Sequence, residues 1–280
     1  MQEPIRICLT TDKNYLDLMK MCIYAIIIAR HPEVALIFYL LGDDVDLSKF
    51  KKFEQFKNVQ IITRTLKMDK VIPKQVSCRY LTRAMYIRIL IPELPVFEDV
   101  KKVLYLDTDA IAKKDLSEYF NTDIGNAALG VIKDFGCANV YNETPVDLSK
   151  YTYFYSGQLL MNLVELRKMH FTDKCLEMIY HTDLPDQQII NKVVGTQVKY
   201  LDPKYCFSWH KTILMKSNYT NIDLWNKTYG TNYPSMQALE KASVIWHFHG
   251  DKKVQRSNKQ INDLFTNLSK KVDKFLGGKI

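Results

Sequence analysis

The chain has 280 residues, of which 47% are hydrophobic and 25% are charged, as in an ordinary globular protein. With only 10 Gly and 9 Pro, it is not expected to contain low-complexity or disordered stretches. The formal net charge is +8, but residues 251–280 carry eight Lys/Arg against three Asp and so supply +5 of it. Because the rest of the chain is nearly balanced, a nucleic-acid-binding protein is not expected.

The cysteines are scattered and form no Cys-x-x-Cys pair, so buried free thiols are expected rather than disulfides or zinc ligands. They are Cys8, Cys22, Cys78, Cys137, Cys175 and Cys206. The first residues lack signal-peptide character, and the longest apolar run, 21–29, is too short to span a bilayer. These features predict a cytoplasmic protein.

In chain order, the first half alternates strand patterns with helical patterns. Strands are predicted at 5–10, 35–41, 59–63 and 103–106, and helices at 15–30, 47–56 and 79–90. Asp46 is a candidate N-cap for the second helix, and Pro92 stops the third. This β-α-β-α-β order predicts an α/β domain with a mostly parallel sheet flanked by helices.

The second half is less regular. Strands are predicted at 126–132, 153–163, 198–201 and 244–248, and a helix at 164–181. No Pro/Gly/Ser-rich linker divides the chain, so we expect one domain over residues 1–250 and a basic helical tail over 251–280.

The tail has apolar residues at helical spacing over about 257–277. They are Ile261, Leu264, Phe265, Leu268, Val272, Phe275 and Leu276. Two interpretations stay open. The helix packs on the core, which we favour slightly, or it binds an anionic membrane surface through its basic side.

Two aspartates, Asp107 and Asp109, follow the buried strand at 103–106. Side chains alternate along extended backbone, so both carboxylates can point the same way. Such a pair repels itself unless a cation lies between its members, and a hard divalent ion that bridges to substrate phosphates fits this need. A loop with two solvated aspartates is the simpler alternative, since short Asp-x-Asp strings are common.

The aspartate pair is one of six segments that follow one another along the chain in a recognisable order. They are Thr10-Thr11-Asp12-Lys13-Asn14-Tyr15, the helix ending at Arg88, Asp107-Thr108-Asp109, Ser156-Gly157 with the strand to Leu163, Asp186-Gln187, and His247-x-x-Gly250-x-x-Lys253. Together and in this order they resemble the motifs of glycosyltransferase family 8. This family of retaining sugar transferases includes bacterial lipopolysaccharide galactosyl- and glucosyltransferases and glycogenin. The resemblance runs from about residue 5 to 253.

The resemblance implies a single GT-A (Rossmann-like) domain that moves galactose or glucose from UDP-galactose or UDP-glucose to a glycan or a lipid-linked saccharide. It implies a metal site of Asp107, Asp109 and His247, whose mixed N/O ligands suit Mn²⁺, with Mg²⁺ as the alternative. As catalytic residues it implies Gln187, Asp186 and Arg88. Around the donor it implies Thr10, Thr11, Asp12, Asn14, Tyr15, Arg88, Asp107, Thr108, Asp109, Asp186, Gln187, His247, Gly250 and Lys253.

Simpler interpretations exist for two of these residues. Asp12 can merely cap the following helix, and His247 can be an ordinary core histidine. His249 is a less suitable ligand, because the Gly and Lys spacing selects His247. Lys253 would add positive charge beside the donor diphosphate.

Tyr80 stands where some family members carry His. Two departures from the family pattern matter, because Tyr155 stands where the family carries Asn and Val254-Gln255 replaces the usual Pro-Trp. These departures keep a second possibility open, a sugar-nucleotide-binding protein with little catalysis. A phosphatase of the haloacid dehalogenase type is a third, since it also places Asp-x-Asp after a strand.

Overall fold

The computed structural model describes residues 3–72, 82–134, 153–182, 184–208, 221–248 and 259–278. Within these ranges, seven strands form the main sheet in the order β3-β2-β1-β4-β7-β6-β8. They are β1 Ile5–Thr11, β2 Leu36–Asp43, β3 Val59–Leu66, β4 Lys102–Leu106, β6 Leu129–Lys133, β7 Phe154–Asn162 and β8 Val198–Tyr200. A second sheet has the order β5-β10-β9 and comprises β5 Ala110–Ala112, β9 Phe207–Ser208 and β10 Ile245–His247.

Helices cover both faces of the main sheet. In the described ranges they are α1 Leu16–Ala29, α2 Met68–Val71, α3 Ile87–Leu90, α4 Ser117–Asn121, α5 Leu163–Lys168, α6 Phe171–His181, α7 Asp186–Val194, α8 Ile222–Tyr229, α9 Met236–Ala242 and α10 Lys259–Leu276. Short 3₁₀ segments lie at Ser48–Gln55, Arg83–Tyr86, Ile91–Glu93, Pro95–Phe97 and Pro203–Tyr205. None of the helices in this part of the chain is long and apolar enough to cross a membrane.

The main sheet is mostly parallel, as predicted. Strands β3, β2, β1 and β4 run the same way, and β6 and β8 run with them. Only β7, inserted between β4 and β6, is antiparallel to its neighbours. Strands β1 and β4 are nearly continuous runs of buried residues, which is typical of central strands with helices on both faces.

The strand register places the polar segments that follow β1 and β4 at the same edge of the sheet. Leu9 of β1 pairs with Leu106 of β4, so the turn after Thr11 and the aspartates after Leu106 leave the sheet side by side. This is the carboxyl end of the parallel strands, where open α/β sheets bind their ligands. The second sheet starts from the same place, because β5 follows Asp109 directly.

Three predicted helices differ from the sequence pattern. The segment predicted at 47–56 is a 3₁₀ helix, Ser48–Gln55, and the Asp46 carboxylate accepts a hydrogen bond from the Ser48 N–H at 2.8 Å. The helix predicted at 164–181 is two helices, α5 and α6, because the backbone turns at His170 with a φ of 53°. Of the helix predicted at 79–90, the described part is a 3₁₀ turn followed by α3.

The tail helix α10 packs on the core, so the favoured interpretation of its apolar stripe is confirmed. Ile261, Phe265, Leu268 and Val272 are buried in the same cluster as α1. The Asp273 carboxylate lies 2.6 Å from the Lys20 ammonium of α1, whose side chain is only 1% exposed. The proposed division at residue 250 stays a prediction, since residues 249–258 lie outside the described ranges.

Cysteine usage agrees with the expectation for the part of the chain that is described. Cys8, Cys22, Cys175 and Cys206 are buried free thiols. Cys78 and Cys137 lie outside the described residues.

Candidate functional site

Two sheets meet at the aspartate pair and bring a histidine to it. Asp107 leaves β4, Asp109 enters β5, and His247 ends β10, which pairs antiparallel with β5 so that His247 lies opposite Ala110. The His247 Nε2 atom is 2.7 Å from Asp109 Oδ1 and 3.9 Å from Asp107 Oδ2. One ligand atom from each of the three lies within 4.8 Å of the others. The side chains of His247 and Asp109 are buried, while that of Asp107 is 25% exposed.

The donor set of this cluster fits a divalent cation. Two carboxylates at such a separation repel each other in a low-dielectric site, and an ion between them removes that repulsion. Oxygen ligands with one imidazole suit Mn²⁺ or Mg²⁺ better than a soft metal. The exposed side of Asp107 leaves the cluster open to a ligand from outside.

Tyr105 orients the first aspartate. Its hydroxyl donates to Asp107 Oδ1 at 2.7 Å, and it lies 3.1 Å from the Thr10 hydroxyl at the end of β1. Sequence reasoning missed Tyr105. Strand alternation could have found it, because residues two apart on a strand share a face.

Arg88 of α3 links the second half of the site to the first. Its Nη2 lies 3.1 Å from Asp107 Oδ1, and its Nε lies 2.9 Å from Asp186 Oδ2 at the start of α7. Nη1 donates to the Ser156 carbonyl at 2.7 Å. Burial disfavours the charged form of Arg88, but Asp107 and Asp186 outweigh it and raise the pKa of Arg88. Burial raises the pKa of Asp186, and Arg88 opposes that rise.

The Gln187 amide is held at both ends. Its Oε1 accepts from the Ser156 backbone N–H at 3.1 Å, and its Nε2 donates to Asp134 Oδ2 at 3.0 Å. One turn later, Asn191 exchanges hydrogen bonds with the Phe154 backbone and fixes α7 against β7. Asp134 was not singled out in the sequence, although it directly follows β6 at the same sheet edge.

The loop after β1 forms a turn around Asp12. Asp12 Oδ1 accepts from the Asn14 N–H at 2.7 Å, whereas α1 begins at Leu16 with no side-chain cap. Asp12 thus shapes the turn that precedes the helix. Burial, followed by the charges of Asp109, Asp12 and Asp107, raises the pKa of Tyr15. Thr11 and Thr108 are buried at the same edge.

Tyr155 projects from β7 into the cluster of Asp107, Asp109 and His247. Its hydroxyl lies 2.7 Å from His247 Nε2 and 3.3 Å from Asp107 Oδ2. Burial, with Asp107 and Asp109, raises the pKa of Tyr155, so the phenol keeps its proton. The Tyr155 hydroxyl can take this position because residue 157 is a glycine. A Cβ on residue 157 would collide with the hydroxyl and lie 2.5 Å from Asp107 Oδ2.

The structure therefore brings together most of the residues singled out in the sequence. Thr10, Arg88, Asp107, Asp109, Asp186, Gln187 and His247 are joined by the contacts given above, while Thr11, Asp12, Asn14 and Tyr15 lie at and just after the end of β1, and Thr108 lies between the two aspartates. Gly250 and Lys253, with Tyr80, His249 and Val254-Gln255, lie outside the described residues.

Comparisons with known proteins point to one family. The family model described as "Glycosyl transferase family 8" matches residues 6–256. General stress protein A of Bacillus subtilis (strain 168) is 29% identical over 190 residues, which are 65% of this chain and 63% of that protein. Lipopolysaccharide 1,2-glucosyltransferase of Escherichia coli (strain K12) is 25% identical over 260 residues, 89% of this chain and 72% of that protein.

Solved structures show the same fold. The galactosyltransferase LgtC, in complex with donor and acceptor sugar analogues, superposes with a TM-score of 0.71 at 20% identity, over 95% of this chain and 96% of that one. The bifunctional glycosyltransferase WbbM superposes with a TM-score of 0.72 at 17% identity, over 98% of this chain and 52% of that one. At these identities the likeness concerns architecture, and it confirms the predicted GT-A fold.

Proposed function

Because the chain belongs to glycosyltransferase family 8, we propose that it transfers a hexose, galactose or glucose, from a UDP-sugar to an acceptor in a metal-dependent reaction that retains the anomeric configuration. The acceptor we propose is a glycan or a lipid-linked saccharide. Names among the relatives support this class, since one is a lipopolysaccharide glucosyltransferase.

The observation that carries the proposal is the convergence of Asp107, Asp109 and His247 within 4.8 Å at the carboxyl end of the sheet. These three residues would hold Mn²⁺, or Mg²⁺ in its place. When bound, the ion supplies Lewis-acid neutralisation of the diphosphate leaving group. We further propose that Lys253 and Gly250 face the same diphosphate.

The nucleotide would lie against the loop after β1. Asp12 Oδ1 accepts from the Asn14 N–H at 2.7 Å and Oδ2 accepts from the Asn14 side-chain amide at 3.5 Å, so the more weakly held Oδ2 is the oxygen that would accept from the uracil N3–H. Asn14 would contact the ribose, and the Tyr15 ring would line the base. The Thr11 hydroxyl donates to the Asp12 carbonyl at 2.9 Å and so holds the backbone of this loop, and the Thr10 hydroxyl lies 3.1 Å from the Tyr105 hydroxyl.

The carboxylates around the proposed sugar site are already paired with other side chains. This favours a retaining reaction in which no carboxylate acts as the nucleophile. Arg88 holds Asp186 through an ion pair at 2.9 Å. Ser156 and Asp134 fix the Gln187 amide, so it would polarise the reacting carbon rather than attack it. Asp186 and Arg88 would orient the sugar. NMR of the product linkage should show α from an α-linked donor, and a β product would contradict retention.

The test is UDP release from a panel of UDP-sugars with Mn²⁺, Mg²⁺ and EDTA. We expect turnover of UDP-galactose or UDP-glucose only with metal, and a loss of orders of magnitude in Asp109→Asn. Asp263→Asn, the same change on the exposed side of α10, is the matched control and should keep wild-type rates. Full activity of Asp109→Asn would refute the assignment of Asp109 to the metal site.

A binding protein with weak catalysis is the second candidate, because Tyr155 lies against the ligands of the proposed metal site. Tight UDP-sugar binding without UDP release, for every donor and a range of acceptors, would favour it. The family match over residues 6–256 replaces the phosphatase interpretation.

A cytoplasmic location with peripheral contact at the inner face of the membrane is also part of the proposal. The exposed lysines of α10, Lys270, Lys271 and Lys274, lie on the side away from the core. Basic residues near an anionic surface contribute about 1 kcal/mol each, so the attachment should be weak and sensitive to salt. Co-sedimentation with anionic vesicles at low but not high salt would support this contact, and indifference to such vesicles would refute it.

A further inference from the structure

The tail helix α10 approaches the proposed metal site through an aromatic contact. We propose that Phe265 of α10 is a positioning residue for this site, because it packs on Phe248 and so helps to hold Asp109 and His247 side by side. The match to the family model ends at residue 256, so α10 lies beyond it. This inference rests on the proposed metal-dependent function and adds a residue that supports the ligands without touching the ion.

The backbones of the two buried ligands are joined to each other. Strand β5 directly follows Asp109, β10 ends at His247, and these two strands of three residues each pair antiparallel. Beyond this pairing, the Phe248 N–H donates a hydrogen bond to the Asp109 carbonyl at 3.2 Å. This bond joins the residue after His247 to Asp109 itself, so it helps to fix the spacing of two ligands from distant parts of the chain.

Phe265 supports this hydrogen bond from the side of the helix. The Phe248 side chain is fully buried, and its ring meets the Phe265 ring edge to face, with centroids 4.8 Å apart. This is a favoured arrangement of two aromatic rings. Because protein interiors are close-packed, removal of the Phe265 ring would leave space into which Phe248 can move. Movement of Phe248 would weaken its hydrogen bond to Asp109.

The same helix carries a second phenylalanine that packs far from the site. Phe275 contacts the rings of Phe53 and Phe56, at centroid distances of 5.4 and 4.8 Å. Phe56 lies just before β3, at the amino end of the parallel strands and therefore opposite the edge that carries the aspartates. At 1.5 Å per residue, Phe275 is about 15 Å from Phe265 along the helix. It therefore provides a matched control on the same element.

Two alanine variants test the positioning role without turnover. Phe265→Ala and Phe275→Ala remove the same ring from the same helix, and both should lower the free energy of unfolding because each leaves a cavity. Mn²⁺ affinity is measured by EPR of the free ion, under conditions in which the variants are folded. It should fall about tenfold in Phe265→Ala and remain unchanged in Phe275→Ala. Phe265→Leu keeps most of the volume and should show a smaller loss.

Hydrogen exchange of the Phe248 amide reports on the supporting bond itself. Measured by NMR in the native state, this exchange should be faster in Phe265→Ala than in Phe275→Ala or the wild type.

Three outcomes would overturn the positioning role while leaving the proposed function intact. One is wild-type Mn²⁺ affinity in Phe265→Ala, another is wild-type affinity in Phe265→Leu if the alanine variant does not fold, and the third is an equal loss in Phe265→Ala and Phe275→Ala. Absence of Mn²⁺ binding by the wild type would instead overturn the metal site and the proposed function, and this inference with them.

Discussion

Replacing Arg88 with Met should destabilise the fold in a way that depends on pH. Arg88 is buried, pairs with Asp107 and Asp186, and donates to the backbone carbonyls of Met85 and Ser156. Methionine has a similar length and keeps the packing but none of these interactions. The change therefore isolates the charge and its hydrogen bonds.

The expected loss follows from what the substitution leaves behind. Asp186 is 5% exposed, and Arg88 is the cation that the described part of the chain pairs with it, so the variant leaves a buried carboxylate without that partner. Removing one partner of a buried ion pair costs about 3–5 kcal/mol. We expect the free energy of unfolding at pH 7 to fall by about that amount, a large part of the 5–15 kcal/mol of an ordinary domain.

The sign of the pH dependence is fixed by Asp186. Burial already raises its pKa in the folded state, and Arg88 opposes the rise, so loss of Arg88 raises this pKa further. A carboxyl whose pKa is higher in the folded than in the unfolded state favours the folded state as protons bind. The deficit relative to wild type should therefore shrink as the pH falls from 7 towards 5.

Urea unfolding at several pH values measures the deficit, and Arg167→Met is the matched control. Arg167 donates to the backbone carbonyls of Pro92, Phe97 and Val100 and has no carboxylate partner among the described residues, so the deficit of its variant should not change with pH. Asp186→Asn added to Arg88→Met should restore part of the stability. A deficit below about 1 kcal/mol, or one equal at pH 5 and pH 7, would refute the argument.

Three further predictions follow from the same contacts. Gly157→Ala should weaken Mn²⁺ binding, measured by EPR, because its Cβ would lie against Asp107 Oδ2 and the Tyr155 hydroxyl; unchanged affinity would contradict the crowding. Asp273→Ala should lower the free energy of unfolding by about 1 kcal/mol in urea titrations, because the buried Lys20 loses one charged partner at 2.6 Å and keeps Asp17; an unaffected midpoint would mean that α10 adds nothing through this pair. By calorimetry, the wild type should bind UDP more tightly than GDP or ADP, and Asp12→Asn should reduce this difference in affinity. Equal affinities of the wild type for the three nucleotides would refute uracil recognition by Asp12.

The sequence predicted the first four strands and the position of the aspartate pair well, because both depend on local patterns. Apolar runs located β1 to β4, and alternation along extended backbone put Asp107 and Asp109 at the end of β4. The pairing of His247 with that cluster depends on β5 and β10, which are more than 130 residues apart in the chain. Only the family resemblance supplied that long-range contact.

Other features depend on tertiary context and could not be read from local patterns. The break between α5 and α6 requires His170 in a left-handed conformation, and no Gly or Pro at this point of the sequence indicates it. The Gln187–Asp134 hydrogen bond joins α7 to β6. Tyr155 was visible as a departure from the family, but its reach to His247 depends on the space left by Gly157.

The measurement that tests the central claim most directly is a crystal structure with UDP and Mn²⁺, with anomalous scattering recorded for manganese. The account predicts one strong anomalous peak bonded to Asp107, Asp109 and His247 and in contact with the UDP diphosphate. Ordered UDP without a peak at these three side chains, or manganese bound elsewhere, would contradict it.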